Sequence, residues 1–275
     1  MTGVQTCALP ILNQNKILAI EGIDTRALTR HLRLSGVMKG MISTVDFDKK
    51  ILAAKLAKIP SMEGCDLVKG VTTKEKYIWP CEGPVRFKVA AIDCGIKFNI
   101  LRILSKLGCE VHVFPAQSRL ADILSIHPDG LFLSNGPGDP AVVTYVIDLV
   151  KESLGKLPTF GICLGNQIVG LALGGKTYKL KFGHHGANHP VKDTPLDRIG
   201  ITSQNHGFSV DPKSLDPNEV EVVHTNLNDH TVEGLRHKRF PLFSIQYHPE
   251  AAPGPTDAQY LFGEFIRMME EFREK

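Results

Sequence analysis

The sequence predicts an α/β protein: an open, mostly parallel sheet with helices on both faces, preceded by the remnant of a smaller α/β domain. Three observations carry that prediction. Between residues 86 and 175, short apolar runs alternate with segments whose apolar residues recur at helical spacing. The apolar run 159–162 passes through Cys163 into a further helical pattern, with Gly161 and Gly165 on either side of the turn. Beyond residue 176 the chain reads as strand after strand and returns to a helix only at its end.

Residues 1–11 stand apart. Gln5-Thr6-Cys7-Ala8-Leu9-Pro10-Ile11 is what the codons CAG ACG TGT GCT CTT CCG ATC encode, a string that resembles a sequencing adapter. These residues are expected to be a translated scar, and the unit behind them to lack its first part. Residues 12–73 make up that small unit. A strand is expected at 16–20. Asp24 caps a helix that carries Ala27, Leu28, His31 and Leu32 on one side and stops at Gly36. A strand pattern follows at 37–43, then a second helix at 49–58, ending before Pro60. Residues 74–85 contain Pro80, Gly83 and Pro84 and read as a linker; Trp79, within it, is expected to pack on the surface.

Residues 86–275 form the large domain. Its first strand is 89–93. Ile96, Ile100, Ile103, Leu104 and Leu107 then mark a helix that stops at Gly108. Strand 110–114, helix 121–126, strand 130–133 and helix 143–154 come next. Strand 159–162 leads through the turn at Cys163 to a helix at 167–173, stopped by Gly174 and Gly175. Further strands are expected at 177–181, 201–203, 219–224, 231–235 and 242–247, with loops at 182–190 and 203–208. A rigid turn at 249–256 precedes the last helix, 257–273, whose buried stripe is Leu261, Phe265, Met268 and Phe272.

Composition excludes several classes of function. Net charge is only +3, with no basic block or arginine stripe, so no nucleic-acid partner is expected. No apolar run is long enough to span a membrane. The six cysteines show no C-x-x-C spacing and are scattered through a chain too large to need disulfide staples, which points to a reducing cytoplasm. His184, His185 and His189 are the densest histidine cluster, but adjacent loop residues rarely both ligate. There is no H-E-x-x-H and no paired cysteine, so no metal is expected.

The chemistry concentrates at Cys163. A tight strand-to-helix turn lifts a side chain clear of the sheet and holds it at a helix N-terminus, as in a nucleophile elbow. Unpaired N–H groups and the helix dipole there favour thiolate over thiol and can bind a developing oxyanion. Taken alone, G-x-C-x-G fits a buried structural cysteine equally well. The balance shifts 85 residues downstream, where His248 and Glu250 follow the strand at 242–247. A thiol, an imidazole to take its proton and a carboxylate to hold the imidazole form a generalised triad.

Gly161-Ile162-Cys163-Leu164-Gly165-Asn166-Gln167, together with His248-Pro249-Glu250, resembles the class I glutamine amidotransferase family. That resemblance implies hydrolysis of the side-chain amide of L-glutamine through a cysteinyl thioester, with the ammonia passed to a synthase partner. It assigns Cys163, His248 and Glu250 to catalysis. Gly136 and Leu164 would supply the oxyanion N–H groups. Gly136 and Gly138, in the loop 134–140, would approach the glutamine. Gln167, Asn205, Gly207 and Phe208 would contact it, and His206 is taken as structural. The family usually has His at the position of Asn166, a side chain the triad does not use.

Residues 20–30, Gly40-Met41-Ile42-Ser43 and the loops at 182–190 and 203–208 resemble the small subunits of carbamoyl phosphate synthetases. This implies a large-subunit partner, in a heterodimer or higher oligomer, that uses ammonia, bicarbonate and ATP in the arginine and pyrimidine pathways. ATP and Mg would belong to that partner, and this chain would carry no cofactor; its Gly-rich loops lack a G-K-[ST] ending. Two other readings stay open on the sequence: an amidotransferase component of an anthranilate or guanylate synthase, and a non-catalytic regulatory or scaffold subunit.

Overall fold

The structure, a computed structural model, describes residues 3–274, with side chains described from residue 9. The chain divides into two compact units, Met1–Ser61 and Met62–Lys275.

The first unit holds three helices: α1 (Gly3–Gln14), α2 (Thr25–Ser35) and α3 (Lys49–Ala57). The Asp24 carboxylate accepts the Ala27 N–H at 2.8 Å and caps α2 as expected, and Asp48 does the same for α3 through Lys50. Gly36, in the left-handed region at φ 90°, ends α2. Of the stretch read as a scar, residues 3–11 lie in α1, and its first two residues lie outside the described residues. The strand patterns at 16–20 and 37–43 form no strand. An extended segment needs a ladder partner for its N–H and C=O groups, and none pairs with either of them. Neither α2 nor α3 buries a residue, and Ile17, Leu34, Met38 and Ile42 are exposed.

The second unit is built on one ten-stranded sheet. Its strands are β1 (Tyr77–Trp79), β2 (Phe87–Asp93), β3 (Cys109–Pro115), β4 (Gly130–Leu133), β5 (Thr159–Ile162), β6 (Lys176–Asp193), β7 (Arg198–Asp211), β8 (Val220–Asn226), β9 (Val232–His237) and β10 (Leu242–Ile245), in the spatial order β1-β3-β2-β4-β5-β10-β9-β8-β6-β7. The block β3-β2-β4-β5-β10 is parallel. β1 on one side, and β9, β8, β6 and β7 on the other, are antiparallel.

Helices α4 (Phe98–Lys106), α5 (Leu120–Leu124), α6 (Thr144–Ser153), α7 (Leu164–Ala172) and α8 (Tyr260–Arg273) cover both faces of the parallel block. Side chains alternate across the pleat. Val89 and Ala91 face Ile100 and Leu104 of α4 and Phe265 of α8, while Ala90 and Ile92 face Val146 of α6 and Ile168 of α7. Phe132, Phe160 and Phe243 pack in a row under α8, Phe132 edge-on to Phe160 with ring centroids 5.3 Å apart and Phe160 stacked on Phe243 at 4.4 Å. Each ring so buried contributes roughly 1.5–3 kcal/mol.

The structure departs from the sequence reading at further points. The boundary between the units falls at residue 61, not 73. Val68 is fully buried in the large core, and Thr73 donates its N–H to Asp93 at 2.7 Å. The expected linker at 74–85 contributes β1, which completes the sheet edge, and Trp79 stacks on Phe98 at 5.7 Å. A three-residue strand is too short for alternation to show. The expected loops at 182–190 and 203–208 lie inside the long hairpin β6–β7. Register shifts between Lys179 and His184, and between Gly186 and His189, insert bulges that break the two-residue period. The buried stripe of α8 runs Leu261, Phe262, Phe265, Ile266 and Met269, which leaves Met268 and Phe272 at its margin.

Candidate active site

Cys163 joins β5 to α7 with φ 56° and ψ −102°, in the left-handed half of backbone space that a side chain enters only under constraint. The constraints are local. Its N–H donates to the Ile245 carbonyl at 2.8 Å, and its own carbonyl accepts from Asn166 and Gln167 at 3.0 and 3.2 Å. α7 therefore begins at Leu164, three residues earlier than its apolar pattern. A Cβ at Gly161 would stand 2.9 Å from the Gly165 carbonyl carbon, and one at Gly165 would stand 2.5 Å from the Leu133 carbonyl oxygen. Both positions must be glycine for the turn to close. The cysteine is 4 % exposed.

His248 follows β10, which lies beside β5, so the sheet itself carries the imidazole to the sulfur. Nδ1 bonds Glu250 Oε1 at 2.7 Å, which leaves Nε2 free to serve Cys163. Burial alone would lower the His248 pKa; the negative charge and hydrogen bond of Cys163, with Glu250 behind, outweigh it and raise the pKa to about 10. Glu250 is fully buried. Burial pushes its carboxyl up, but His248 and Lys97 together hold it below the usual carboxylate range.

Lys97 was not legible as a site residue. Its Nζ lies 2.9 Å from Glu250 Oε1, the oxygen that His248 uses, and 3.3 Å from the Ala251 carbonyl. One signal did exist. Lys97 is the N-cap of α4, where a cation opposes the helix dipole, so a compensating carboxylate was to be expected.

The residues assigned to substrate and oxyanion separate into two groups. A Cβ at Gly136 would meet the Cys94 carbonyl at 2.2 Å and Leu164 Cδ2 at 2.7 Å, so the loop 134–140 lies directly on the residue after the nucleophile. The Asn205 carbonyl is 4.0 Å from Cys163 Sγ, and the Phe208 carbonyl accepts from Gln167 Nε2 at 2.9 Å. Gly207 is between them with open space where a Cβ would point. Gly136, Leu164, Gln167, Asn205, Gly207 and Phe208 thus gather where β7 passes over the elbow. Gly138 does not: it packs against Cys65 and Leu67. Gln167 is 3 % exposed and its Nε2 is shared between Phe208 and Gln246, so this amide fixes β7 to α7. Asn166 is fully buried, accepts from Ser244 Oγ at 2.9 Å and donates to Gln246 at 3.3 Å; neither bond reaches the triad.

A second buried cluster lies in the antiparallel half. His184 on β6 and His206 on β7 are ladder partners, and Glu233 of β9 reaches them. His184 Nε2 bonds Asp229 at 2.8 Å, and its Nδ1 is 3.5 Å from Glu233 Oε1. His206 donates Nδ1–H to the Phe208 carbonyl at 2.7 Å, while its Nε2 is buried without a hydrogen-bond partner. Burial drives the His206 pKa down to about 4. Burial also disfavours charge on His184, but its bonds to Glu233 and Asp229 raise the pKa above its ordinary value. The cluster combines one residue taken as structural, one from the densest histidine run, and a glutamate to which the sequence had assigned no role.

Comparison with known proteins adds to this geometry. The family model for Glutamine amidotransferase class-I matches residues 90–268, and that for the Carbamoyl-phosphate synthase small chain, CPSase domain, matches residues 5–42, which includes part of the stretch read as a scar. The carbamoyl phosphate synthase small chain of Syntrophotalea carbinolica is 52% identical over 276 residues, covering 96% of this chain and 73% of the relative. That of Chlorobaculum tepidum is 53% identical over 266 residues, covering 95% and 72%. That of Aquifex aeolicus is 52% identical over 268 residues, covering 94% and 72%. A crystal structure of a putative GMP synthase component from Thermoplasma acidophilum superposes with a TM-score of 0.59 at 24% identity, covering 68% of this chain and 96% of that one, and so shares the fold.

Proposed function

This chain belongs to the class-I glutamine amidotransferases and, among them, to the carbamoyl phosphate synthase small chains; from that premise we propose that Cys163, His248 and Glu250 carry its chemistry. It hydrolyses the side-chain amide of glutamine and supplies the ammonia for carbamoyl phosphate synthesis. His248 takes the thiol proton, and the Cys163 thiolate adds to the amide carbon. The N–H groups of Gly136 and Leu164 hold the oxyanion of the tetrahedral intermediate. His248 returns the proton to the departing nitrogen, which leaves as ammonia and a thioester on Cys163. Water, deprotonated by His248, releases glutamate and restores the thiol. Glu250 fixes the imidazole tautomer, and Lys97 holds Glu250 ionised. Asn205, Gly207 and Phe208 line the approach to the sulfur and are suited to hold the backbone groups of glutamine.

What supports this reading is that β10, lying beside β5, carries His248, already held by a dry carboxylate, to the end of the sheet where Cys163 forms the elbow. The partner is the large chain of the synthase, to which we assign ATP and Mg; this chain is assigned no cofactor in the reaction. The pairing works in a reducing cytoplasm, in keeping with the five described cysteines being free. Among the described residues, no helix is long and apolar enough to cross a membrane. The unit ahead of the large domain speaks against an anthranilate or guanylate synthase, since residues 5–42 match the small-chain domain.

The test is glutaminase activity of Cys163→Ser, measured with the large chain present. Loss of at least ~10³-fold with an unchanged circular dichroism spectrum is expected, because an unactivated hydroxyl is a far poorer nucleophile than a thiolate. Activity within tenfold of the wild type would remove Cys163 from the reaction.

A further inference from the structure

We propose that His184, His206 and Glu233 form a binding site for a divalent transition metal of the zinc class, separate from the triad and tying β6, β7 and β9 together. Their ligand atoms all lie within 4.8 Å of one another, and all three residues are buried.

The hydrogen bonds around the cluster orient each donor inward. His206 gives its Nδ1–H to the Phe208 carbonyl, so Nε2 carries a lone pair. That nitrogen is buried, has no hydrogen-bond partner, and belongs to a side chain only 5 % exposed. A buried acceptor without a donor costs free energy unless a proton donor or a cation meets it. His184 gives its Nε2–H to Asp229, which leaves Nδ1 3.5 Å from Glu233 Oε1 and 3.5 Å from Asn226 Nδ2, an amide it shares with that same oxygen. Nδ1 and Oε1 thus share a single amide donor, and a cation between them would meet a lone pair of each. Glu233, fully buried, has its two oxygens steadied by Asn226 Nδ2 at 2.8 Å and Gln204 Nε2 at 2.9 Å. Neither partner brings a charge.

This is the arrangement of a metal centre with its outer shell in place. Two imidazoles each pass their remaining N–H to a carboxylate or carbonyl, and a carboxylate is held by amides. Two His nitrogens and one carboxylate oxygen suit zinc. An ion about 2.1 Å from each ligand holds them roughly 3.5 Å apart, a separation the His184–Glu233 pair already has. Closing the set needs His206 to move by on the order of 1 Å. His189, its ring 5.1 Å from that of His184 and its Nδ1 buried without a partner, stands where a fourth ligand could enter. The competing arrangement is a proton on His184 shared between Asp229 and Glu233, which needs no ion and leaves His206 Nε2 unpaired.

The site bears on the triad through position alone. His206 lies between Asn205, whose carbonyl stands over Cys163, and Phe208, whose carbonyl receives both His206 and Gln167. An ion on His206 would fix that part of β7.

The experiment is metal binding to the full chain after chelator treatment and exchange into metal-free buffer. Zn²⁺ is titrated by calorimetry, and Co²⁺ is added separately for its visible absorption. The expected result is one equivalent of either ion and an absorption of tetrahedral intensity. Glu233→Gln and His206→Gln should weaken binding at least hundredfold while far-ultraviolet circular dichroism is retained, and the exposed control His31→Gln should leave it unchanged. If either variant fails to fold, the other and His184→Gln carry the comparison. No stoichiometric binding to the wild type, or equal binding to the wild type and the folded cluster variants, overturns the proposal and leaves the proton-bridged network.

Discussion

His248 and His184 are both buried, and each gives one ring nitrogen to a carboxylate, at 2.7 Å from Glu250 and 2.8 Å from Asp229. The two pairs differ in what surrounds them. The Glu250 side chain is 0% exposed and is gripped by Lys97 as well, whereas the Asp229 side chain is 42% exposed. The free nitrogen of His248 meets a thiol at a helix N-terminus, while that of His184 meets a second carboxylate beside a second histidine. A histidine–carboxylate pair is therefore a generic part. The third member sets its chemistry: nucleophile activation in the parallel block, and a cation or proton store in the antiparallel half.

The comparison breaks first at the orienting carboxylates. Glu250→Gln should lower glutaminase kcat by on the order of 10³–10⁴, since the imidazolium loses its counter-charge and its tautomer is no longer fixed. Asp229→Asn should stay within about threefold, its carboxylate being half solvated and remote from the reaction. Equal losses in the two variants would mean that the cluster on β6 and β7 takes part in catalysis.

Lys97→Met should cost less, about ten- to a hundredfold in kcat with little change in KM. His248 still pairs with Glu250, but the buried carboxylate has lost one of its two cations. An unchanged kcat would show that His248 alone keeps Glu250 ionised.

The titration of His248 sharpens the comparison. Its pKa near 10 lies above the ~6.5 of an unfolded histidine, so the folded chain keeps a proton that the unfolded chain releases. That contribution to stability is fully present below pH ~6.5 and is lost as pH rises through about 10. In Cys163→Ser the thiolate that favours the charged ring is gone. The His248 resonance should then titrate at lower pH by nuclear magnetic resonance, and the alkaline loss of stability should shrink. An unmoved titration would separate His248 from the sulfur.

A small effect on turnover is also expected at Asn166. It touches Ser244 and Gln246, not the triad, so Asn166→His should change turnover less than tenfold while overfilling a fully buried site at a cost of about 1–3 kcal/mol by denaturant unfolding. A gain of a hundredfold, the size of a missing general acid or base, would place position 166 in the reaction.

The parallel block was legible because each strand is followed by its own helix, and the alternation survives in sequence as apolar runs and 3.6-residue spacing. Gly161, Cys163 and Gly165 stand together because the turn is local. The antiparallel half was less legible. Bulges in β6 and β7 hide their period, so His184 and His206 were placed on loops although they are ladder partners. Glu233 comes from a third strand, and no spacing could link it to them. Lys97 escaped for the same reason: it lies in sequence beside α4 and in space against residues 250 and 251. In the first unit the strand patterns at 16–20 and 37–43 met no partner strand, and pattern alone cannot make a ladder.

The most direct test of Cys163 as the nucleophile is the site of covalent labelling by a glutamine-like electrophile, followed over time by peptide mass spectrometry with and without glutamine. Cys94 and Cys109 are fully buried, and burial holds both thiols well above their ordinary value, Cys109 at about 12. Cys65 and Cys81 are half-buried but have no histidine beside them among their described hydrogen-bond partners. Cys163 is expected to be modified first, at a stoichiometry of about one, and glutamine is expected to protect it. First modification at any other cysteine, or labelling of Cys163 that glutamine leaves unslowed, would contradict the assignment.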